Sequence, residues 1–555
     1  MNIVLTAINA KYIHSNLAVY SLRAYAKPYK NEISIAEYTI NQQMDDILMD
    51  LYKKKPDVLC FSCYIWNLTY VEELIREMKK ILPQLPIWVG GPEVCYDAVD
   101  VLARLPEVTG VMLGEGEETF LELMEYYHRE RNVLDGIKGI AYRRENGEIV
   151  QNEWRKVIDL SSVPFVYHDM EDFKNKIIYY ESSRGCPFSC SYCLSSVDKC
   201  LRFRDLELVK KELQFFIDEE VPQVKFVDRT FNCKHKHAME IWKYLMEHDK
   251  GITNFHFEVA ADLLNEEEIQ LIEQMRPGLI QLEIGVQSTN ETTIQEIQRS
   301  MKFSEVARIV TRINKNQNVH QHLDLIAGLP YEGMDSFKKS FDDVYKLHPE
   351  QLQLGFLKVL KGSYMEEQKE KYGLLYKSKP PYEVLGTNWL SYEEILQLKM
   401  VENMVEVYYN SGQFHYTLRH LEKAFSSPFE LYDRLGRYYE KKGLHLVSHS
   451  RIARYEILLD FISQLQTGED DLYKELLTFD LYLREHVKNR PTFVGDYTVS
   501  KEMKRQYPKN MHLEKFRYDV MGDCKKEEQI LLFDYENRSK LTHQAYCKKV
   551  ENSLQ

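Results

Sequence analysis

The stretch Arg184-Gly185-Cys186-Pro187-Phe188-Ser189-Cys190-Ser191-Tyr192-Cys193 decides the reading of this chain. It follows directly on Lys176-Ile177-Ile178-Tyr179-Tyr180-Glu181-Ser182, an apolar run of strand length, so the three cysteines fall in a loop at the carboxyl end of a strand. Three thiolates at this spacing ligate three irons of a cubane and leave the fourth iron open to a small molecule. An electron-transfer ferredoxin closes all four corners with cysteine. The competing readings are a structural zinc site and a closed cluster completed by Cys200. Zinc ribbons repeat a cysteine pair on two knuckles, and no second knuckle accompanies this loop.

Downstream, Val224–Asp228, Asn254–Ala260, Leu279–Val286, His320–Leu329 and Glu350–Val359 repeat the strand pattern, each followed by polar or helical sequence. With the first strand they make six strand–helix units and predict a partial (βα)6 barrel over residues 176–363. Barrels of this kind place chemistry at the carboxyl ends of their strands, which gathers Cys186, Asp228, Glu258, Glu283 and Gly328 around one mouth.

Upstream, short apolar runs at 2–8, 33–38, 57–65, 86–91 and 110–115 alternate with helical spacing such as Val71, Leu74, Met78 and Ile81. That alternation predicts a doubly wound parallel sheet over residues 1–127. Residues 128–175 read as a linker with a small hairpin around Asn146-Gly147. After Gly362 the strand runs fade, and Lys379-Pro380-Pro381 marks a break. Ser391 with Glu394 then forms a capping box before Ile395, Leu398, Val401, Val405 and Tyr408 on one helix face. Residues 364–555 are expected to be a mostly helical domain without a chemical motif. The fold class is therefore α/β, with a helical C-terminal part.

At 555 residues and 44% hydrophobic content the chain has room for three cores. A formal charge of −13 argues against a broad nucleic-acid surface and favours a small-molecule or peptide substrate. There is no basic stretch leading into a long apolar run, and nowhere do about 18 apolar residues follow one another. A cytoplasmic protein with no membrane partner is expected. Ten cysteines are too few for a disulfide scaffold in so long a chain, and three of them lie within this one loop.

On these motifs the region from 176 to 363 resembles the radical S-adenosylmethionine superfamily. The whole chain resembles the cobalamin-binding branch of that superfamily, with the C-terminal helical extension of one bacterial subgroup. The resemblance implies a [4Fe-4S] cluster on Cys186, Cys190 and Cys193. It implies S-adenosylmethionine contacts at Tyr192, Asp228, Glu283, Gln287, Ser288 and Gly328. The glycine pair that many members carry after the second strand is replaced by Asp228-Arg229-Thr230. The chemistry implied is reductive cleavage of S-adenosylmethionine to a 5′-deoxyadenosyl radical, fed by an external donor of flavodoxin or ferredoxin type. With cobalamin present, methylation of an unactivated carbon is the first expectation; rearrangement and cyclisation occur in the same branch.

For the N-terminal sheet the resemblance implies cobalamin, held at Tyr12, His14, Ser62, Gly90, Gly91, Gly114 and Gly116. Two strand ends there carry glycine pairs, which either admit a flat ligand or simply make tight turns. Cobalamin domains that ligate cobalt through the protein carry a DxHxxG motif. Here Tyr12 and Leu17 stand where that motif has Asp and Gly, so the imidazole of His14 lacks the partner that normally orients it. Two rivals remain at this stage. A methylthiotransferase would place a second cluster on Cys60, Cys63 and Cys95, and a non-catalytic redox sensor would bind cofactor without consuming S-adenosylmethionine.

Overall fold

The computed structural model describes residues 1–131, 133–197, 199–487, 489–495 and 497–550. The N-terminal sheet has strands β1 (Ile3–Asn9), β2 (Ile33–Thr39), β3 (Val58–Ser62), β4 (Ile87–Gly90), β5 (Gly110–Met112), β6 (Ile140–Arg143) and β7 (Ile149–Gln151). Their order is β2-β1-β3-β4-β5-β6-β7. The first five run parallel, and β6 and β7 are antiparallel additions. Every residue of β1 is buried, with Ile3, Leu5 and Ala7 in one core and Val4 and Ile8 in the other. That is the signature of a strand covered by helices on both faces. The strand order reverses between β1 and β3, which opens a crevice at their carboxyl ends.

The hairpin that the sequence puts in the linker is hydrogen-bonded to β5 through Gly110 and Tyr142, Val111 and Ala141, and Met112 and Ile140. It extends the N-terminal sheet because Ile140, Ala141 and Tyr142 are buried there.

The second region contributes β8 (Ile178–Tyr180), β9 (Ser183–Arg184), β10 (Arg202–Phe203), β11 (Gln223–Phe226), β12 (Asn254–Val259), β13 (Ile280–Gln287), β14 (His320–Ala327) and β15 (Gln351–Phe356). Strands β8 and β11 to β15 form one six-stranded sheet in the order β15-β14-β13-β12-β11-β8, with every pairing parallel. On β13 the residues Ile280, Leu282, Ile284 and Val286 are buried, while Gln281, Glu283 and Gly285 alternate with them. The second set belongs to the inner face and makes it polar. Strands β9 and β10 pair antiparallel across the base of the cysteine loop.

A two-stranded pair, β16 (Leu375–Tyr376) and β17 (Val384–Gly386), precedes the C-terminal helices. The Ser391–Glu394 capping box is formed and opens the helix Tyr392–Met404, whose buried residues include Ile395, Leu398 and Val401. Helices Pro428–Lys441, Arg451–Gln464 and Asp470–Arg484 follow. The helical expectation fails after them: β18 (Met511–Tyr518), β19 (Lys526–Arg538) and β20 (Ala545–Val550) form an antiparallel sheet. Helix Asp470–Arg484 packs on it, with the Phe479 ring centroid 6.0 Å from Phe516 and 5.8 Å from Phe533. The apolar run Ile530–Phe533 is flanked by charged residues, and this short signal hides the strand in the sequence.

Candidate functional site

The cysteine loop begins where β8 ends, and its root is braced by a buried carboxylate. Asp228 is fully buried and accepts from the Ser182 N–H at 2.9 Å, the Ser182 hydroxyl at 2.6 Å and the Ser183 hydroxyl at 2.7 Å. Burial pushes its pKa up to about 7, against the pull of these donors. These three donors tie its oxygens to the β8–β9 corner. Gly185 has φ +91°, and a Cβ there would lie 2.7 Å from the Cys200 carbonyl oxygen, so the loop needs a glycine to turn back.

Cys186 lies 3.9 Å from the Thr230 hydroxyl, and the Cys193 N–H donates to the Cys190 carbonyl at 3.1 Å. Arg299 reaches into the loop, with Nη1 3.7 Å from Cys190 Sγ and 3.2 Å from the Tyr192 hydroxyl, while Nη2 donates to the Gly285 carbonyl. The three thiols are free of disulfides. The donor set fits three corners of a cubane with the fourth corner open.

Around this loop the structure gathers Tyr192, Gln287 and Arg299. Gln287 follows a register shift in β13 and has φ +72°. Its Oε1 is buried without a hydrogen-bond partner among the described residues, an acceptor left for a ligand to satisfy. Glu258, the cross-strand partner of Glu283, is pushed by burial up to about 7, against the pull of the Arg229 charge. Three further expected positions have close neighbours within the protein. Ser288 is fully buried, donates to Glu332 at 2.6 Å and accepts from the Asn290 N–H at 3.0 Å, so it holds the turn that leads to Asn290, the N-cap of the next helix. A Cβ at Gly328 would meet Val384 at 2.8 Å, so packing against β17 explains that glycine. Glu283 lies deeper on the inner face, accepting from Lys225 Nζ at 2.9 Å, with His256 Nε2 3.0 Å away. These partners hold its carboxyl far below the usual range despite burial. Sequence reading missed Arg299, which lies in a loop beyond the strand that carries Gln287, where no periodic pattern marks it.

The crevice of the N-terminal sheet meets the barrel directly. His14 Nδ1 is 2.6 Å from the hydroxyl of Tyr179 on β8, and the Ile177 N–H donates to the Ile13 carbonyl at 2.7 Å. Arg184 pairs with Glu117 at 2.9 Å, and Lys176 with Glu37 at 2.6 Å. The orienting partner that the missing motif denies His14 is thus supplied by the barrel. Burial lowers the His14 pKa, which favours the neutral imidazole. Ser62 is pinned by Asn16 Nδ2 at 3.0 Å.

The glycines answer to the protein itself. A Cβ at Gly91 would lie 2.5 Å from the Cys63 carbonyl oxygen, at Gly114 3.3 Å from the Trp154 ring, at Gly116 3.0 Å from Leu22 and at Gly90 3.4 Å from Met112. What fits a large flat ligand is the rim, where Tyr12, Ile13 and Trp66 are 68%, 44% and 42% exposed. Trp66 stacks on Tyr64 at 4.5 Å, and its indole N–H donates to the Ile8 carbonyl at 3.0 Å.

The profile of the B12 binding domain matches residues 3–124, that of the Radical SAM superfamily residues 180–344, and that of a protein of unknown function (DUF4080) residues 370–507. The chain is 25% identical over 301 residues to the 2-(S-pantetheinyl)-carbapenam-3-carboxylate methyltransferase of Streptantibioticus cattleyicolor, covering 51% of this chain and 44% of that one. It is 24% identical over 354 residues to the cobalamin-dependent radical SAM methyltransferase TokK of Streptomyces tokunonensis, covering 60% and 51%. The chain thus spans about half the length of these curated relatives. The fold matches that of the cobalamin-dependent S-adenosylmethionine radical enzyme OxsB with a TM-score of 0.60 at 16% identity, over 86% of this chain and 78% of the other. Among the described residues no helix is long and apolar enough to cross a membrane. With a B12 binding domain set against an open three-cysteine barrel, the chain belongs to the cobalamin-binding radical S-adenosylmethionine family, whose cofactors are a [4Fe-4S] cluster, S-adenosylmethionine and cobalamin.

Proposed function

We propose that this protein is a cobalamin-dependent methyltransferase of the radical S-adenosylmethionine class, acting on an unactivated carbon of a small molecule or peptide. The observation that carries the reading is the apposition of the cysteine loop and the N-terminal crevice, tied together by Arg184–Glu117 and His14–Tyr179. Cys186, Cys190 and Cys193 would hold the cluster; Tyr192, Gln287, Glu258 and Arg299 would surround S-adenosylmethionine. Tyr12, His14 and Trp66 would meet the corrin. When bound, these groups supply an electron for cleavage of S-adenosylmethionine and a carrier for its methyl group.

The protein's own part is orientation. Asp228 fixes the corner from which the cysteine loop springs, and Arg299 presents a guanidinium to Cys190 and Tyr192, where negative charge on a thiolate is stabilised. Glu258 offers a carboxylate to the cationic part of S-adenosylmethionine. The methylthiotransferase reading is disfavoured by the state of its cysteines. Cys60, Cys63 and Cys95 are buried, and burial raises all three thiols, Cys60 to about 12 and Cys95 to about 11.

The test is product analysis with S-adenosylmethionine and a strong reductant. Methyl transfer predicts S-adenosylhomocysteine beside 5′-deoxyadenosine only when cobalamin is loaded. A rearrangement enzyme would yield 5′-deoxyadenosine alone under both conditions.

A further inference from the structure

Inside the barrel, below the ring of residues around the cysteine loop, lies a second cluster of ligand-bearing side chains. Glu283 on β13 and His322 on β14 are direct cross-strand partners, and Asp324 is two residues further along β14 on the same face. One ligand atom from each of the three lies within 4.8 Å of the other two. His322 is 6% exposed, and its Nε2 is 3.0 Å from Asp324 Oδ1. Yet neither His322 Nε2 nor Asp324 Oδ1 completes a hydrogen bond among the described residues. At this separation but without hydrogen-bond alignment, the two atoms are placed as two donors turned toward a common point.

We propose that Glu283, His322 and Asp324 bind one divalent first-row transition metal inside the barrel, a centre separate from the cysteine loop.

One imidazole and two carboxylates make a donor set suited to Mn²⁺, Fe²⁺ or Zn²⁺ and offer none of the thiolates that an iron–sulfur cluster requires. Lys225 donates to Glu283 Oε2, which holds that carboxylate in place and leaves Oε1 for the ion. His256 Nε2, also buried, flanks the same carboxylate 3.0 Å from Oε2. Three protein ligands leave coordination positions for an oxygen of a bound molecule, so the site would recognise a hydroxyl, carboxylate or phosphate group brought into the barrel. Without an ion, the alternative closure is a proton: against the lowering effect of burial, Asp324 and Glu283 raise the His322 pKa and favour the imidazolium.

The experiment is Mn²⁺ titration of the anaerobic holoenzyme with its cluster oxidised, following the signal of free Mn²⁺ by electron paramagnetic resonance. The proposal predicts about one Mn²⁺ per chain, displaced by Zn²⁺. His322→Ala and Asp324→Asn should weaken binding by about tenfold or more with cluster iron unchanged. Should His322→Ala lose its cluster through misfolding, the near-isosteric Glu283→Gln variant serves instead and must show the same loss. No stoichiometric Mn²⁺ in the wild type, or equal binding in variants that keep their cluster, overturns the proposal and leaves the proton as what closes the triad. The readout does not involve S-adenosylmethionine cleavage, so its failure is distinguishable from failure of the proposed activity.

Discussion

Replacing Asp228 by Ala separates two roles that its strand-end position allows. As a brace, Asp228 accepts one N–H and two hydroxyls in a fully buried setting, and each such bond to a charged acceptor contributes about 1.5–3 kcal/mol. Three of them sum to roughly 5–9 kcal/mol. Burial of the carboxylate offsets most of that sum, since the folded pKa is still raised to about 7 with all three donors in place. Leaving those buried donors without an acceptor in Asp228→Ala costs about 1–3 kcal/mol.

The sign of the pH dependence follows from the raised pKa. The folded state holds the Asp228 proton more tightly, so this group's contribution to stability is fully present below about pH 4 and is lost as pH rises through about 7. Asp228→Asn removes that slope. The assay is denaturant unfolding of the anaerobic protein from pH 5 to 8, together with cluster iron content and S-adenosylmethionine affinity. A brace predicts lower stability and lower cluster occupancy in Asp228→Ala, with normal affinity in the molecules that retain a cluster. Full stability and occupancy with weakened S-adenosylmethionine binding would refute the reasoning and return Asp228 to the ligand shell.

Other consequences are direct. Arg299→Met should weaken S-adenosylmethionine binding, measured by equilibrium dialysis, with cluster iron retained. His14→Ala should lose hydroxocobalamin on desalting, followed by absorbance, and Tyr179→Phe should lose less because only the orienting hydroxyl is gone. Cys60→Ser and Cys63→Ser should leave the iron content at about four per chain, since neither thiol holds a cluster. Phe533→Ala, at a fully buried position of β19 against Phe479, should destabilise the fold by about 3–5 kcal/mol in denaturant unfolding.

How much of this was legible in sequence varied with the range of the interaction. The alternation of apolar runs and helical spacing marks the two parallel sheets, and the Ser391–Glu394 box marks a helix start, because both are local patterns. The cysteine spacing is equally local. What escaped is set by tertiary contact. Asp228 stands at a strand end in sequence, but only the fold shows that the corner formed by Ser182 and Ser183 closes over it. Ser288 and Gly328 likewise answer to Glu332 and Val384, partners 44 and 56 residues away in the chain. The partner of His14 lies 165 residues away on another sheet. The C-terminal sheet was hidden because its one buried strand is flanked by charges at both ends.

The central claim is tested most directly by anaerobic reconstitution with iron, sulfide and hydroxocobalamin, followed by metal analysis and an assay for 5′-deoxyadenosine in wild-type and Cys190→Ala protein. The account predicts about four cluster irons and about one cobalamin per chain, with 5′-deoxyadenosine formed by the wild type and absent in Cys190→Ala. Zinc on the cysteine loop with no cleavage of S-adenosylmethionine would contradict it.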